Sequence, residues 1–381
     1  MVKRKIIVLG RGRSAVAAMS LADSLGYEAL SVEGDDSLPP KSFDFAVASP
    51  GIAPDHRWFA SLRERNIEVI SELQFGLSVL KRNGWRILAV TGSKGKSSVV
   101  KVIADALSLS GEKAVACGNY GLPVSEVALS SDVGWAVAEV SSFMMETTAL
   151  AGDFFEAACI LNLQSDHLDR HGDIQTYHAL KMKLMSMTKN PFVPPFSPAP
   201  LSLVAEKSYF GSGVLRENAA AAIAMMRACS LEDDIIKRSF DEFVPLAHRM
   251  QKIASVDGVD YIDDSKATSI DAMIAAVGMI DTPVRLIAGG LPKGDDPAKA
   301  LAILTKRVKK VYIIGRSAEL FSAAWSHTLE CEICVTMENA VEAVKHEARR
   351  GETVLLSPGA ASYDQFENFV RRGEVFASLV K

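Results

Sequence analysis

Between Arg86 and Leu109 the chain passes from an apolar run, Arg86 to Val90, through the turn Thr91-Gly92-Ser93-Lys94-Gly95-Lys96-Ser97 into a periodic stretch, Ser98 to Leu109. The run reads as a buried strand, and the stretch as an amphipathic helix with Gly111 as its stop. In such a turn, backbone N–H groups and a helix N-terminus hold a polyphosphate, a lysine neutralises it and a hydroxyl reaches Mg²⁺. Strict Walker spacing requires glycine at position 90, where this chain has Val90. The segment is therefore a variant P-loop, and it commits at least this part of the chain to an α/β sheet.

A length of 381 residues, with 48% hydrophobic and 23% charged residues, fits a soluble globular chain of about two to three domains. A formal net charge of −4 argues against a nucleic-acid partner. The basic run Lys306-Arg307-Val308-Lys309-Lys310 reads as a solvated helix end leading into a strand. Cys117, Cys159, Cys229, Cys331 and Cys334 are scattered in apolar runs, as free thiols of a reducing compartment would be. Cys331 and Cys334 have CxxC spacing, but within a β-like run that has no second pair, so the expectation there is structural. Behind the basic start, Ile6 to Leu9 is too short for a signal peptide, and no apolar run approaches the roughly 18 residues of a membrane span. The expected location is the cytoplasm.

Three segments follow one another. The first, residues 1–84, opens with strand Lys5 to Leu9, the turn Gly10-Arg11-Gly12-Arg13-Ser14, helix Ala15 to Leu25 and strand Glu28 to Val32. This Rossmann-like start has Ala15 where a dinucleotide fingerprint has its third glycine, so its turn serves either phosphate binding or packing. Strand Phe45 to Ala48, the turn Ser49-Pro50-Gly51, helix Asp55 to Arg65 and strand Glu68 to Ile70 complete it. The second, residues 85–246, holds the P-loop and two more buried strands, Trp135 to Val140 and Ala157 to Leu163, in a mainly parallel sheet. Within it Pro191, Pro194, Pro195, Pro198 and Pro200 exclude regular helix or central strand, and helix Glu217 to Cys229 follows. The third, residues 247–381, alternates strands (Asp260 to Ile262, Arg285 to Ala288, Lys310 to Ile314, Glu352 to Leu356) with helices, a further Rossmann-like domain.

Four polar groups stand at junctions where α/β sheets place ligand-binding residues. Glu139 ends a strand, where it either binds Mg²⁺ or is a solvated cap. Asp166-His167-Leu168-Asp169-Arg170-His171 follows another strand, as a metal or phosphate site or as a charged loop whose Asp166 caps a helix. Lys181 lies on a helix, where a lone lysine is ordinarily a surface residue. Asp263-Asp264-Ser265-Lys266-Ala267-Thr268 forms a strand-to-helix turn suited to nucleotide or carboxylate contacts, or simply to capping.

In this order the motifs resemble the Mur ligase family of ATP-dependent amide ligases. The resemblance rests on the P-loop, Gly118-Asn119-Tyr120-Gly121-Leu122-Pro123, Glu139-Val140-Ser141-Ser142-Phe143, Asp166 to His171, Asp264-Ser265-Lys266-Ala267-Thr268, and Leu356 to Phe366. It runs from the P-loop almost to the end of the chain. The last two motifs favour the branch that adds D-glutamate.

The resemblance implies ATP and two Mg²⁺ ions, with UDP-N-acetylmuramoyl-L-alanine and D-glutamate as small-molecule substrates and a monomeric protein. ATP would meet Gly92, Ser93, Lys94, Gly95, Lys96, Ser97 and Ser98, with Asn218 at the adenine and Arg249 and Asp264 reaching it from the third domain. Arg13, Ser14, Ser49, Gly51, Asn119, Ser141 and His167 would bind the uridine substrate. Lys266, Thr268, Lys293, Ser362 and Phe369 would surround D-glutamate. Ser97, Glu139, His167 and a carbamylated Lys181 would hold the metals, and Lys96, Glu139, His167, Lys181 and Lys266 would carry the chemistry. An acyl phosphate would form and then be attacked by the amine, with closure of the third domain excluding water. Runner-up readings are a ligase of another amino acid, folylpolyglutamate-synthase-like, and a non-catalytic nucleotide-binding homologue.

Some positions depart from the family pattern. Lys94 stands where Asn is usual, Met144 where Gln is usual, and Leu215 where Asn is usual. Glu33-Gly34-Asp35 leaves the uracil side undefined, and residues 190–213 are a bypass some tens of residues shorter than the family norm.

Overall fold

The computed structural model describes residues 3–34, 36–164, 166–196, 201–206, 208–211 and 213–381. The chain forms two compact units, Met1–Phe243 and Val244–Lys381. Asp35, expected near the uracil, and Pro198 and Pro200 of the bypass lie outside the described residues.

The first unit carries two sheets. β1 (Lys5–Leu9), β2 (Glu28–Val32), β3 (Phe45–Ala48) and β4 (Val69–Ser71) form one, in the order β2-β1-β3-β4 with every pair parallel. β5 (Arg86–Thr91), β6 (Ala114–Gly118), β7 (Trp135–Glu139), β8 (Ala157–Ile160) and β9 (Pro191–Phe192) form the other, in the order β6-β7-β5-β8-β9, again all parallel. Parallel strands with covered faces need apolar residues at successive positions, which is why β7 and β8 are buried at every residue. Proline cannot complete a ladder, and Pro191 sits accordingly in a two-residue edge strand.

The two sheets of this unit share one hydrophobic cluster, with Ile6 and Val8 of β1, Leu73 and Leu77 of the helix Glu72–Arg82, and Ile87 and Ala89 of β5. That helix meets Val124–Val127 closely. A Cβ on Gly76 would lie 2.6 Å from the Ser125 backbone nitrogen, so only glycine permits the contact. Glu72 seals the same seam, its carboxylate accepting the Ser125 N–H at 2.7 Å.

The second unit has one sheet built from β10 (Gln251–Val256), β11 (Val259–Asp263), β12 (Val284–Gly289), β13 (Val308–Ile314), β14 (Glu330–Val335) and β15 (Thr353–Leu356). The order is β10-β11-β15-β12-β13-β14, parallel except for the β10–β11 hairpin. Its five-strand parallel part agrees with the Rossmann-like expectation; the antiparallel β10 is an addition.

Lys310 departs from the solvated reading of its basic run. As the third residue of β13 its side chain is 9% exposed, and it pairs with Glu330, Glu332 and Glu347 at 3.2, 2.8 and 2.6 Å. Next to it Arg285 binds Glu352 at 2.6 Å and Glu347 at 3.0 Å, closing a charge network at the amino ends of the strands. All five cysteines are free thiols; Cys331 is half-buried and the other four are buried.

Candidate active site

In the second sheet the chain leaves β5 toward β6 and β7 on one side and returns to β8 on the other. The carboxyl ends of β5 and β8 thus flank a switch point, where open α/β sheets bind ligands. The glycine-rich turn occupies it. Gly92 has φ +145° and Gly95 +84°, both closed to side chains, and Gly95 opens the helix Lys96–Leu109 without any side-chain cap. The helix N-terminus is therefore left to its own N–H groups.

Long-range contacts hold this turn. Asn162, after β8, accepts the Lys94 N–H at 2.8 Å and donates to the Lys94 carbonyl at 3.0 Å, clamping both backbone groups of one residue. Its amide also approaches Asn218 Oδ1 at 3.4 Å. The hydroxyl of Ser93 donates to Gln164 O at 3.0 Å and accepts from Tyr177 OH at 3.1 Å. Asn218 is 1% exposed, its Nδ2 has no hydrogen-bond partner, and a Cβ on Gly95 would lie 1.9 Å from that nitrogen. The Ser98 hydroxyl meets Tyr209 OH at 3.0 Å.

The basic groups converge on the turn. Lys96 Nζ donates to Gly92 O at 2.9 Å and Ser93 O at 3.1 Å. Lys181, as a lone helix lysine ordinarily a surface residue but expected at the metal site from the resemblance, is 1% exposed and donates to the same Gly92 oxygen at 3.0 Å, with Nζ 4.5 Å from the Tyr177 ring centre. Burial, and then the charge of Lys96, lower its pKa to about 7. Lys94 Nζ lies 3.8 Å from Asp166 Oδ2. Asp166 also accepts the His167 N–H at 3.0 Å, but the short helix Leu168–His171 after it has His167 at its N-cap and no side-chain cap. His167 takes a left-handed φ of 54° and packs its ring 4.8 Å from that of Phe143.

Glu139 is 2% exposed at the end of β7. One carboxylate oxygen accepts from Asn119 Nδ2 at 2.6 Å; the other is buried with no hydrogen-bond partner. A buried carboxylate oxygen left unpaired costs stability unless a cation meets it, so this donor set suits a metal ion. Ser97, in the first turn of the helix Lys96–Leu109, is 5% exposed. Ser141 is spent on capping, accepting the Met144 N–H at 3.3 Å, and Met144 itself is 3% exposed in the core.

After β1, Gly10 has φ +110° and its missing Cβ leaves room for the Ser49 hydroxyl, 2.9 Å from where that Cβ would stand. This close approach accounts for the glycine in packing terms. Ser49 Oγ is buried with no partner, whereas Arg13 is exposed at the start of its helix and Ser14 is half-buried. Arg170 joins the Asp166–His171 loop to the Ser49–Gly51 turn. It donates to Ile52 O at 3.0 Å, Pro50 O at 3.3 Å and Gly51 O at 3.4 Å, and pairs with Glu146 at 2.6 Å.

The second unit gathers its own residues at the carboxyl ends of β11, β12 and β15. Asp264 accepts from Ser357 Oγ at 2.9 Å and the Met250 N–H at 3.2 Å, and burial raises its pKa to about 7. Lys266 Nζ stands 3.9 Å from the centre of the Phe369 ring, and Lys293 Nζ donates to Thr268 Oγ1 at 3.1 Å. Ser362 is 2% exposed.

Residues 90–194 match the Mur ligase middle domain, and residues 248–359 the glutamate ligase domain of Mur ligases. A Hydrogenobaculum protein named UDP-N-acetylmuramoylalanine--D-glutamate ligase is 32% identical, over 98% of this chain and 98% of its own. The chain belongs to the Mur ligase family. A Desulfotalea psychrophila protein of the same name is 35% identical, over 88% of this chain and 81% of its own. Among solved structures, the MurF ligase of Thermotoga maritima in complex with ADP superposes with a TM-score of 0.62 at 15% identity, covering 100% of this chain and 96% of that one. At that identity the likeness speaks for the fold.

For a Mur ligase, the first unit brings Gly92, Ser93, Lys94, Gly95, Lys96, Ser97, Asn218, Glu139 and Lys181 around one turn, with Asn119 drawn to Glu139. The hydroxyls of Ser98 and Ser141 meet Tyr209 OH and the Met144 N–H. The sequence assigns no role to Asn162 or Tyr177, and reads Asp166 and Arg170 only as parts of a metal or phosphate loop, although all four tie the turns together. Their signal was only position, at or soon after the end of an apolar strand.

Proposed function

We propose that this protein joins D-glutamate to UDP-N-acetylmuramoyl-L-alanine at the expense of ATP, in peptidoglycan precursor synthesis. The observation that carries the reading is the convergence on the Gly92 turn of Lys96, the buried Lys181 and Glu139 with its unpartnered oxygen. Relatives of that activity by name, matched over nearly the whole chain, support the choice of substrates. The same reading places the enzyme in the cytoplasm as a monomer, with residues 1–84, 85–246 and 247–381 as its uridine-substrate, ATP and amino-acid domains.

The substrate carboxylate attacks the γ-phosphorus of ATP, a new P–O bond forms, the β–γ bridge breaks and ADP leaves. Both reactants are anions, so the step needs positive charge held in place beforehand. Lys96 supplies it at the turn, Lys94 adds a second cation, and the helix N-terminus adds its N–H groups. The amine of D-glutamate then attacks the acyl phosphate carbonyl. The C–O bond to phosphate breaks from the tetrahedral intermediate, and the amine proton passes to solvent. His167 and Lys266 stabilise the charge that develops on oxygen. Thr268, Lys293, Ser362 and Phe369 hold the amino acid, and Arg13, Ser14, Ser49, Gly51 and Asn119 the uridine substrate. Arg249 and Asp264 meet the nucleotide.

Mg²⁺ fits at Glu139, Ser97, His167 and Lys181, where it would offset phosphate charge and act as a Lewis acid. Among the described residues no group of three His, Cys, Asp or Glu side chains forms a ready metal cluster. Carbamylation of Lys181 would supply the further oxygen donor. That modification needs a neutral amine, which a pKa of about 7 provides.

The test is phosphate release from ATP. Release should require UDP-N-acetylmuramoyl-L-alanine and D-glutamate together; release without either, or none at all, overturns the reading.

A further inference from the structure

Arg249 sits on an unusual piece of backbone. The residues on either side, His248 and Met250, take φ values of +61° and +46°, in the left-handed region that strains residues other than glycine. Such strain persists only where surrounding contacts over-determine it. Two successive carboxylates do so here. Asp263, 1% exposed, meets His248 Nδ1 with Oδ2 at 2.7 Å, and Asp264 accepts the Met250 N–H at 3.2 Å. Each flank of Arg249 is thus gripped by one member of the Asp263-Asp264 pair.

The same contacts reach Lys266. The His248 carbonyl accepts the Lys266 N–H at 3.0 Å, and Asp263 Oδ1 accepts the Ser265 N–H at 2.9 Å. The His248 ring stands edge-on to Phe369 at 6.3 Å. Space for the histidine–aspartate contact comes from Gly373, where a Cβ would lie 2.2 Å from His248 Nδ1 and 2.5 Å from Asp263 Oδ2. Arg372, fully buried, fixes the turn from behind, donating to Ser265 Oγ, Ser265 O and Ala360 O at 2.9, 2.8 and 3.1 Å.

We propose that the His248–Asp263 pair is a positioning device that aims Arg249 at the nucleotide and Lys266 at the amino acid together. The inference rests on the proposed ligase activity and adds two residues to it, neither of which touches substrate. A single contact at the base of both side chains would keep the nucleotide-facing and amino-acid-facing groups in one register.

The experiment compares wild type with Asp263→Ala, Asp263→Asn and His248→Asn, each checked for a wild-type melting profile, and measures KM for all three substrates. Asp263→Ala should raise KM for ATP and for D-glutamate together by about tenfold, the scale of losing a hydrogen bond to a charged group. KM for the uridine substrate should stay within about twofold, and Asp263→Asn, which keeps an acceptor, should recover part of both losses. Should Asp263→Ala not fold, His248→Asn carries the same expectation from the other side of the contact. Variants that melt like wild type and keep both KM values, or that change only one of them, overturn the inference. A wild-type protein that releases no phosphate overturns the ligase reading instead, and calorimetric ADP binding to the folded variants then still tests the Arg249 half.

Discussion

The ammonium of Lys181 donates to the carbonyl oxygen of Gly92 at 3.0 Å, inside a helix-to-turn contact that water does not reach. Burial there sets a pKa of about 7, against 10.5 for a free lysine. The unfolded chain therefore binds a proton that the folded chain has released between those values. Stability attributable to this residue should rise with pH from about 7 to 10.5, and the melting difference between wild type and Lys181→Met should shift in that direction across the window. With labelled bicarbonate, a carbamate carbon signal should appear in wild type, strengthen as pH passes about 7, and be absent in Lys181→Met.

Lys96→Ala should remove the main fixed charge at the turn and lower kcat by about 10²- to 10³-fold, the scale of losing one preorganised electrostatic group. The helix should survive, because alanine favours it. Steady-state kinetics and circular dichroism on the same preparation separate the two effects.

Gly95→Ala places a methyl carbon 1.9 Å from Asn218 Nδ2 on backbone with φ +84°. Strain and collision add, so ATP binding should be lost and stability should fall by more than about 1 kcal/mol. Isothermal titration with ADP and a denaturant melt check both.

Asn162→Ala should leave the Lys94 N–H and carbonyl without their clamp. The expected cost is about 1–3 kcal/mol in nucleotide binding, seen as a raised KM for ATP with a smaller change in kcat. Asn162→Asp keeps an acceptor for the N–H alone and should fall between the two.

Glu352, 4% exposed, binds Arg285 and Lys309 at 2.6 and 2.7 Å and has its pKa held down at about 2, against 4.5 when free, because those cations outweigh the penalty of burial. A depressed carboxylate contributes stability that is complete above about 4.5 and is lost as pH falls toward 2. Glu352→Gln should thus lower the melting temperature at neutral pH, and the gap to wild type should close on acidification through that range.

Most strands were legible because parallel strands buried on both faces must be continuously apolar, as in β5, β7 and β12. β6 and β10 were not: β6 is half-buried along most of its length and built of small residues, and β10 is half-buried or exposed and mixes polar with apolar residues. The helix Glu72–Arg82 was missed because its apolar residues serve two sheets and leave no clean stripe. In the site, the turn and its lysine were legible as one local string. The burial of Lys181, the clamp by Asn162 and the pairing of Lys94 with Asp166 join segments 68 to 89 residues apart or turn on three-dimensional charge balance, which no local pattern encodes. Lys310 failed for the same reason, its three acidic partners lying on β14 and the helix beyond it.

Gly76 has a reach beyond its own contact. By letting two helices touch backbone to backbone it packs the helix that links the first sheet to the second against the segment that follows β6. In a Mur ligase, that contact then helps to set the spacing between the two sheets of this unit. Enlarging position 76 would act as a spacer between them, altering the rate of acyl transfer from a residue that meets no ligand.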